Sequence, residues 1–417
     1  MTEVAHGTLL LVESNTTGTG RLFARCARDL GIEPVLVTAD PGRYPYVALD
    51  GVRTECVDTS DGEAVLVAAR RIAATAPVLG VTSSSEYYIV TAAATARMLG
   101  LPGPGEEAVR ACRDKSVQRR RLAEAGMPQP RHEVVHDVAG AVAAARRIGF
   151  PVVLKPAQGS GSLGVRACAD EEQTTRHASV LTAATVNERG VAVPPDVLVE
   201  QLLPGQEFSV EVFGGRAIAV VVKHLGEPPV FVETGHDVPA AVPPARGALL
   251  RESAERAAAV LGLGWGAVHV ELRLDGDRPT VIEVNPRLAG GMIPDLVRRT
   301  SGVDLVADQV RAAVGLDPAG ITGPRAGAAA IRFLTADRDA VLGGTDLTDV
   351  LLTAVREVPG VVDAVLYAAE GTRVAPATDF RGRVGHVIAE AATGPAAARG
   401  AERGRTLLSR SLRAVSG

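Results

Sequence analysis

Between His269 and Arg287 the chain reads His-Val-Glu-Leu-Arg-Leu-Asp-Gly-Asp-Arg-Pro-Thr-Val-Ile-Glu-Val-Asn-Pro-Arg, and this stretch limits the fold most tightly. Its alternation of apolar and polar residues predicts two strands, and Asp275-Gly-Asp277 marks the turn between them. A hairpin symmetric about residue 277 sets Glu271 opposite Glu283 and His269 opposite Asn285. Val270, Leu272, Leu274, Ile282 and Val284 then share an apolar back. His269, Glu271, Glu283, Asn285 and Arg287 make a polar front.

Directly opposed strand residues have Cβ atoms about 4.5–5.5 Å apart. Two carboxylates at about 5 Å repel by about 3 kcal/mol when the effective dielectric is about 20. A shared proton, Arg287 or a divalent cation could offset that repulsion. Two carboxylates and an amide oxygen form a hard, all-oxygen ligand set, which Mg²⁺ or Mn²⁺ accepts beside phosphate oxygens. A register slip of one residue would break the opposition, but it would also expose the apolar back.

The basic residues point the same way. Of the 44, 41 are Arg and three are Lys, at positions 115, 155 and 223. A lysine retained in so arginine-rich a chain marks a place where a compact ammonium is needed. Lys155 ends an apolar run and is followed closely by Gln158-Gly-Ser-Gly-Ser-Leu-Gly164. Glycines there let backbone N–H groups approach phosphate, and the serines add donors. No Gly-Lys-[Ser/Thr] follows, so this is not a Walker A loop. Residues 197–213 read as two strands joined by a Pro204-Gly205 turn, with Glu207, Ser209 and Glu211 on one face of the second.

Residues 1–110 alternate strand and helix, a βαβ pattern that implies a parallel sheet. The Ser14–Gly20 loop lacks the third glycine of a dinucleotide fingerprint and reads as a tight turn. A single basic helix is expected over residues 110–125, ending at Gly126-Met-Pro-Gln-Pro130. Ser83-Ser-Ser-Glu86 reads equally as a helix capping box and as a loop offering Glu86 to a substrate amine. An alanine-rich helix is expected near 250–261. From about 324 the pattern is strand, helix, strand, with a polar Arg- and Ala-rich tail past Gly394.

The net charge of -4 leaves no global basic excess for a phosphate backbone, which argues against a dedicated nucleic-acid binder. Apolar runs such as Thr8–Val12 are strand-length, far short of the ~20 residues of a membrane span. Cys26, Cys56, Cys112 and Cys168 are scattered, as reduced thiols are, and no signal peptide is visible. A cytoplasmic location is therefore expected.

Taken in order, the motifs resemble the ATP-grasp superfamily, and within it the carboxylate–amine ligases typified by L-amino acid ligases. They are Arg113-Asp-Lys115, Val153-Leu-Lys-Pro156 with its glycine loop, Val199-Glu-Gln-Leu-Leu-Pro-Gly-Gln-Glu207, Val268-His-Val-Glu271 and Ile282-Glu-Val-Asn-Pro-Arg287. Arg381-Gly-Arg-Val-Gly-His-Val-Ile388 resembles the small C-terminal domain of that branch. The resemblance implies an α/β and α+β protein. A parallel βαβ pre-grasp domain (1–110) would precede a central lobe with a glycine-rich lid (111–205) and a C-lobe with a metal site (206–323). The two β-rich lobes would clamp ATP, and a small α+β domain (324–417) would end the chain.

By the same resemblance Lys115 and Lys155 meet the nucleotide phosphates, under a lid made of Gln158, Gly159, Ser160, Gly161, Ser162 and Gly164. Backbone groups near Glu200, Gln201 and Leu203 hold the adenine, and Glu207 holds the ribose. Glu271, Glu283 and Asn285 hold Mg²⁺ (or Mn²⁺), while Arg287 and Lys155 are the catalytic pair. Glu86, Lys223, His236, His269 and Arg332 are substrate-pocket candidates, although Arg332 would serve equally in a structural salt bridge.

The implied reaction joins a small-molecule carboxylate to an amine through an acyl phosphate, with ADP and phosphate released. A homodimer is left open. The rival readings are a biotin-carboxylase-like or purine-biosynthesis enzyme and a non-catalytic ATP-binding regulator. The intact acidic set and Arg287 speak against the last.

Overall fold

The computed structural model describes residues 6–15, 19–159, 161–186, 193–321 and 325–414, with backbone alone at Thr345 and Asp346. Strands β1 (Thr8–Val12), β2 (Glu33–Thr38), β3 (Arg53–Cys56) and β4 (Val78–Thr82) pair in parallel in the order β3-β2-β1-β4. Leu10, Val12, Val35 and Val37 face the helices Gly62–Ala73 and Ile89–Met98. Leu9, Leu11 and Leu36 face the other side, against Phe23, Ala24 and Ala27. Burial on both faces explains the unbroken apolar runs. The strand order reverses between β1 and β4, so the loops that follow them part and leave a crevice.

Next, β5 (His132–Val135), β6 (Val152–Pro156), β7 (Arg166–Cys168) and β8 (Val197–Gln201) form an antiparallel sheet in the order β5-β8-β6-β7. The basic helix expected over 110–125 is instead two helices, Glu106–Cys112 and Lys115–Glu124. Asp114 accepts from the backbone N–H groups of Ser116 and Val117, and this N-cap starts the second helix at Lys115.

The rest of the chain contributes β9 (Gln206–Phe213), β10 (Arg216–Leu225), β11 (Glu233–Val238), β12 (Ala267–Asp275) and β13 (Arg278–Asn285). These are followed by β14 (Ala328–Thr335), β15 (Ala340–Leu342), β16 (Val361–Leu366), β17 (Arg373–Val374), β18 (Arg383–Ala391) and β19 (Leu412–Ala414). One sheet of eight strands runs β13-β12-β9-β10-β11-β14-β18-β16, and β15, β17 and β19 make a small separate sheet.

Three expectations change here. The two strands within residues 197–213 are not a hairpin, because β8 and β9 belong to different sheets and residues 202–205 connect the lobes. Gly205 has φ 87°, and a Cβ there would lie 2.2 Å from the Leu274 carbonyl oxygen. The boundary expected at 323/324 is crossed by the large sheet, since Gly235 of β11 pairs with Arg332 of β14. The tail past Gly394 is the helix Gly394–Leu408, which buries Ala397, Gly400, Ala401, Gly404 and Leu408. Small residues give a weak apolar signal, yet they let this helix lie close on the sheet: a Cβ at Gly404 would sit 2.7 Å from Val387 Cγ1.

The β12–β13 hairpin pairs His269 with Asn285, Val270 with Val284 and Glu271 with Glu283. Beyond Glu271 a bulge shifts the register, so that Leu272 faces Val281. Val281 therefore takes the place expected for Ile282 in the buried back, beside Val270, Leu272, Leu274 and Val284 under the helix Pro244–Val260. Ile282 turns to a cavity instead. A bulge beside a functional pair re-aims side chains in this way. Among the described residues no helix is long and apolar enough to cross a membrane.

Candidate active site

A cavity of about 1050 Å³ lies where the N-terminal crevice and the two antiparallel sheets meet. All three lysines of the chain line it. Each is nearly buried, with Lys115 7%, Lys155 4% and Lys223 2% exposed. Six glutamates share the wall with them: Glu86, Glu200, Glu207, Glu233, Glu271 and Glu283.

β6 and β8 position the first cluster. Lys155 Nζ lies 2.6 Å from Glu200 Oε2, and Arg119 Nε lies 2.5 Å from Glu200 Oε1. Burial pushes the Glu200 carboxyl up, but Arg119 and Lys155 outweigh it and hold the group at about 2. Burial likewise lowers the Lys155 pKa against the pull of Glu200. Arg119 also donates to the carbonyls of Val281 (3.2 Å) and Ile282 (2.6 Å), which ties the small sheet to the bulge of β13. Gln118 holds the same open edge, bonded at 2.9 Å to both the N–H and the carbonyl of Val284.

Lys115 Nζ bridges the glycine loop and the hairpin, donating to Gly159 O at 3.0 Å and reaching Glu283 Oε1 at 3.1 Å. Gly159, Gly161 and Ser162 line the cavity. Gln158 and Gly164, expected in the lid, are exposed and do not. Ser160 lies outside the described residues. Gln201 and Leu203 are on the wall at the connection between the lobes, and the Leu203 carbonyl accepts from Arg273 at 2.8 Å.

The opposed carboxylates are each met directly by a cation, while Arg287 acts on both from its salt bridge with Glu86. Lys223 Nζ lies 2.7 Å from Glu271 Oε1, His269 Nε2 lies 3.1 Å from the same oxygen, and Lys115 serves Glu283. Lys223 also meets Glu233 at 3.0 Å and Glu207 at 3.1 Å. Glu207, expected on ribose, is shared between Lys223 and Arg273. Burial acts to raise the Glu271 pKa, but Lys223 and then His269 hold it well below the usual carboxylate range. Burial also opposes a charge on His269, yet Glu211 at 2.8 Å and Glu271 raise it to about 9.

Asn285 places its side-chain amide 3.2 Å from Glu283 Oε1 and 3.3 Å from Glu86 Oε1. With its nitrogen turned to them it donates to both carboxylates. With its oxygen turned to them, three oxygens converge with no hydrogen between, the donor set of a hard cation. Among the described residues no three His, Cys, Asp or Glu side chains form such a set by themselves. Glu283 belongs to that set together with Glu86, whereas Glu271, paired with Glu283 across the hairpin, has its Oε1 on Lys223 and His269.

Just past the end of β13, Arg287 donates to Glu86 Oε2 through Nε (2.9 Å) and Nη2 (2.5 Å), while Arg113 pairs with Glu86 Oε1. The helix here begins at Ile89, and Ser83 Oγ accepts from the N–H of Ser85. Residues 83–86 are therefore a loop that presents Glu86, not a capping box. Phe23, Trp265, Leu288, Met292 and Ile293 make the adjoining wall apolar. Met292 holds a left-handed φ of 61°, a strained conformation for a residue with a side chain.

Two candidates are not brought to the wall. Arg332 donates to Asp237 Oδ1 at 2.7 Å and lies outside the cavity lining; its place is the structural salt bridge rather than the substrate clamp. His236 is fully buried behind Gly291, where a Cβ would come within 2.5 Å of Nε2. Its ring meets Phe333 edge-on, neither nitrogen has a hydrogen-bond partner, and burial lowers its pKa to about 3. Arg119, Gln118, Glu233 and Arg383 escaped the sequence reading. Arg119 sits in an Arg119-Arg-Arg121 run that looks like a solvated helix face, and nothing in the sequence separates it from its neighbours.

Two lobes whose lysines and paired glutamates converge on one cavity define an enzyme that grips a nucleoside triphosphate. The ATP-grasp domain model matches residues 148–295, the ATP-grasp N-terminal domain matches 24–103, and L-amino acid ligase C-terminal domain 2 matches 332–410. The uncharacterized protein y4rH of Sinorhizobium fredii is 35% identical over 383 residues, covering 92% of this chain and 78% of that protein. Carnosine synthase 1 of Homo sapiens is 31% identical over 345 residues, 77% of this chain but 41% of the synthase. The chain thus spans about two fifths of the length of that relative. The crystal structure of L-amino acid ligase from Bacillus licheniformis has the same fold, with TM-score 0.78, 21% identity and 99% of each chain covered. The chain belongs to the ATP-grasp superfamily, on its L-amino-acid-ligase-like branch.

Proposed function

We propose that the protein is an ATP-dependent carboxylate–amine ligase that forms an amide bond between small molecules through an acyl phosphate. The observation that carries this reading is the convergence of all three lysines and the opposed glutamates on one cavity that ends at Arg287. Lys115 and Lys155 bind the polyphosphate and lower the repulsion an anionic nucleophile would meet. Glu271, Glu283 and Asn285 would hold a divalent cation, which when bound neutralises phosphate charge.

A substrate carboxylate attacks the γ-phosphorus and ADP leaves. Arg287, kept in place by Glu86, stabilises the negative charge that develops on the transferring group and later on the tetrahedral intermediate. The glycine loop excludes water, which would otherwise hydrolyse the acyl phosphate. An amine then displaces phosphate. The apolar wall around Trp265 and Met292 favours a substrate with an apolar side chain.

The test is a phosphate-release screen with ATP and Mg²⁺ over pairs of amino acids, organic acids and amines, with products weighed by mass spectrometry. Phosphate released only when an acid and an amine are both present, with a product lighter than their sum by one water, supports the ligase. Release that needs bicarbonate and no amine would favour a carboxylase instead.

A further inference from the structure

Amide formation needs a base. An amine arrives as an ammonium ion, attacks only when neutral, and carries a surplus proton in the tetrahedral intermediate. The cavity offers few acceptors for it. Its six glutamates are each held by a cation: Glu86 by Arg287, Glu200 by Lys155, Glu207, Glu233 and Glu271 by Lys223, and Glu283 by Lys115. Both ring nitrogens of His269 face carboxylates, and His236 is shut behind Gly291.

Among the described residues one other imidazole lines the cavity, that of His386 on β18. His386 Nε2 lies 3.2 Å from Asp363 Oδ2, and Nδ1 lies 2.7 Å from the Tyr367 hydroxyl. A carboxylate only accepts, so Nε2 carries the hydrogen and Nδ1 is left to take the tyrosine's. Asp363 and Tyr367 also line the cavity, and Tyr367 is 49% exposed overall. The eight-stranded sheet that carries the opposed glutamates at one edge therefore carries this trio at the other.

We propose that Asp363, His386 and Tyr367 form a relay that removes the proton of the attacking amine. The inference rests on the ligase reading. The ammonium proton passes to the Tyr367 oxygen as the amine becomes neutral; as the C–N bond then forms and the C–O bond to phosphate breaks, the nitrogen's surplus proton leaves on the departing phosphate. The tyrosine's own proton passes to His386 Nδ1, and Asp363 stabilises the resulting imidazolium. Inorganic phosphate leaves with its electron pair, and the imidazolium returns its proton to water.

The charged groups around the trio suit this role. The His386 hydrogen bond holds the Asp363 carboxyl below its usual range despite burial, and Arg299 adds to the effect. Arg383 lies over the Phe333 ring at 4.1 Å and pairs with Glu233 at 2.5 Å, so it does not compete for Asp363. Arg381 is paired with Asp379.

The test is Tyr367→Phe in the full chain, assayed with ATP, Mg²⁺ and each proteinogenic L-amino acid. Hydroxylamine, already unprotonated at neutral pH, traps the acyl phosphate as a hydroxamate without help from a base. A second L-amino acid must lose a proton to give a dipeptide. The variant should keep hydroxamate formation within about twofold and lose dipeptide formation by about 10²-fold or more. His386→Gln should show the same split, and Tyr367→Phe alone decides if that variant is poorly folded. An equal fall in both products would mean that the trio only braces β16 against β18, and no fall in either would also overturn the relay. Absence of both products in the parent enzyme would sink the ligase reading and the relay with it.

Discussion

Glu86 and Arg287 are 201 residues apart in the chain, and their side chains meet at 2.5 Å. The contact joins the crevice of the parallel sheet to the end of the hairpin that bears the opposed glutamates; under the proposed function it would set where a substrate lies relative to the phosphates. Glu86→Gln should cut turnover by about 10²-fold through lost alignment while leaving affinity for AMP-PNP within about threefold. Steady-state kinetics beside calorimetry would show the split; an equal loss in both would place Glu86 in the nucleotide site.

Glu283 is partly exposed, and Lys115 is its salt-bridge partner. Glu283→Gln should weaken Mg²⁺-supported AMP-PNP binding by about 10–100-fold and move the melting temperature by less than about 2 °C. A large fall in melting temperature with binding intact would mean that the carboxylate is structural.

The Arg119–Glu200–Lys155 triad is buried, so removing its one anion leaves two cations unpaired. Glu200→Gln should cost about 3–5 kcal/mol in a denaturant titration. Lys155→Arg should retain the fold and lose turnover, because a planar guanidinium does not replace a point ammonium beside a tight loop. Near-normal kinetics in that variant would remove the significance of the scarce lysines.

His269 should leave a mark on the pH dependence of stability. Its pKa is raised from 6.5 to about 9 in the folded state, so folding binds a proton more tightly than the unfolded chain does. That contribution is complete below about 6.5 and is lost as pH rises through about 9. Thermal melts across this window should fall more steeply for the parent protein than for His269→Gln. Parallel curves would contradict a charged His269.

The opposition of Glu271 and Glu283 was legible because period-2 alternation and a two-residue turn leave one register that buries the apolar back. The bulge that exchanges Ile282 for Val281 was not, since the groups that bond that edge of β13, Arg119 and Gln118, come from a helix more than 160 residues away. The lysines were legible through their rarity. Lys223 was not read as the partner of Glu271, because that pairing depends on β9 lying between β10 and β12. The final helix hid behind alanine and glycine, whose small size is the reason it packs closely and also the reason it gives little hydropathy signal. His386, Asp363 and Tyr367 are brought together by the β16–β18 pairing, which no local spacing encodes.

Oxygen transfer tests the chemistry most directly. With amino acids labelled with ¹⁸O in the carboxylate, ATP, Mg²⁺ and the parent enzyme, each inorganic phosphate released should carry one labelled oxygen, because the attacking carboxylate oxygen leaves on phosphorus when the amide forms. Unlabelled phosphate accompanying amide formation would show that no acyl phosphate lies on the path.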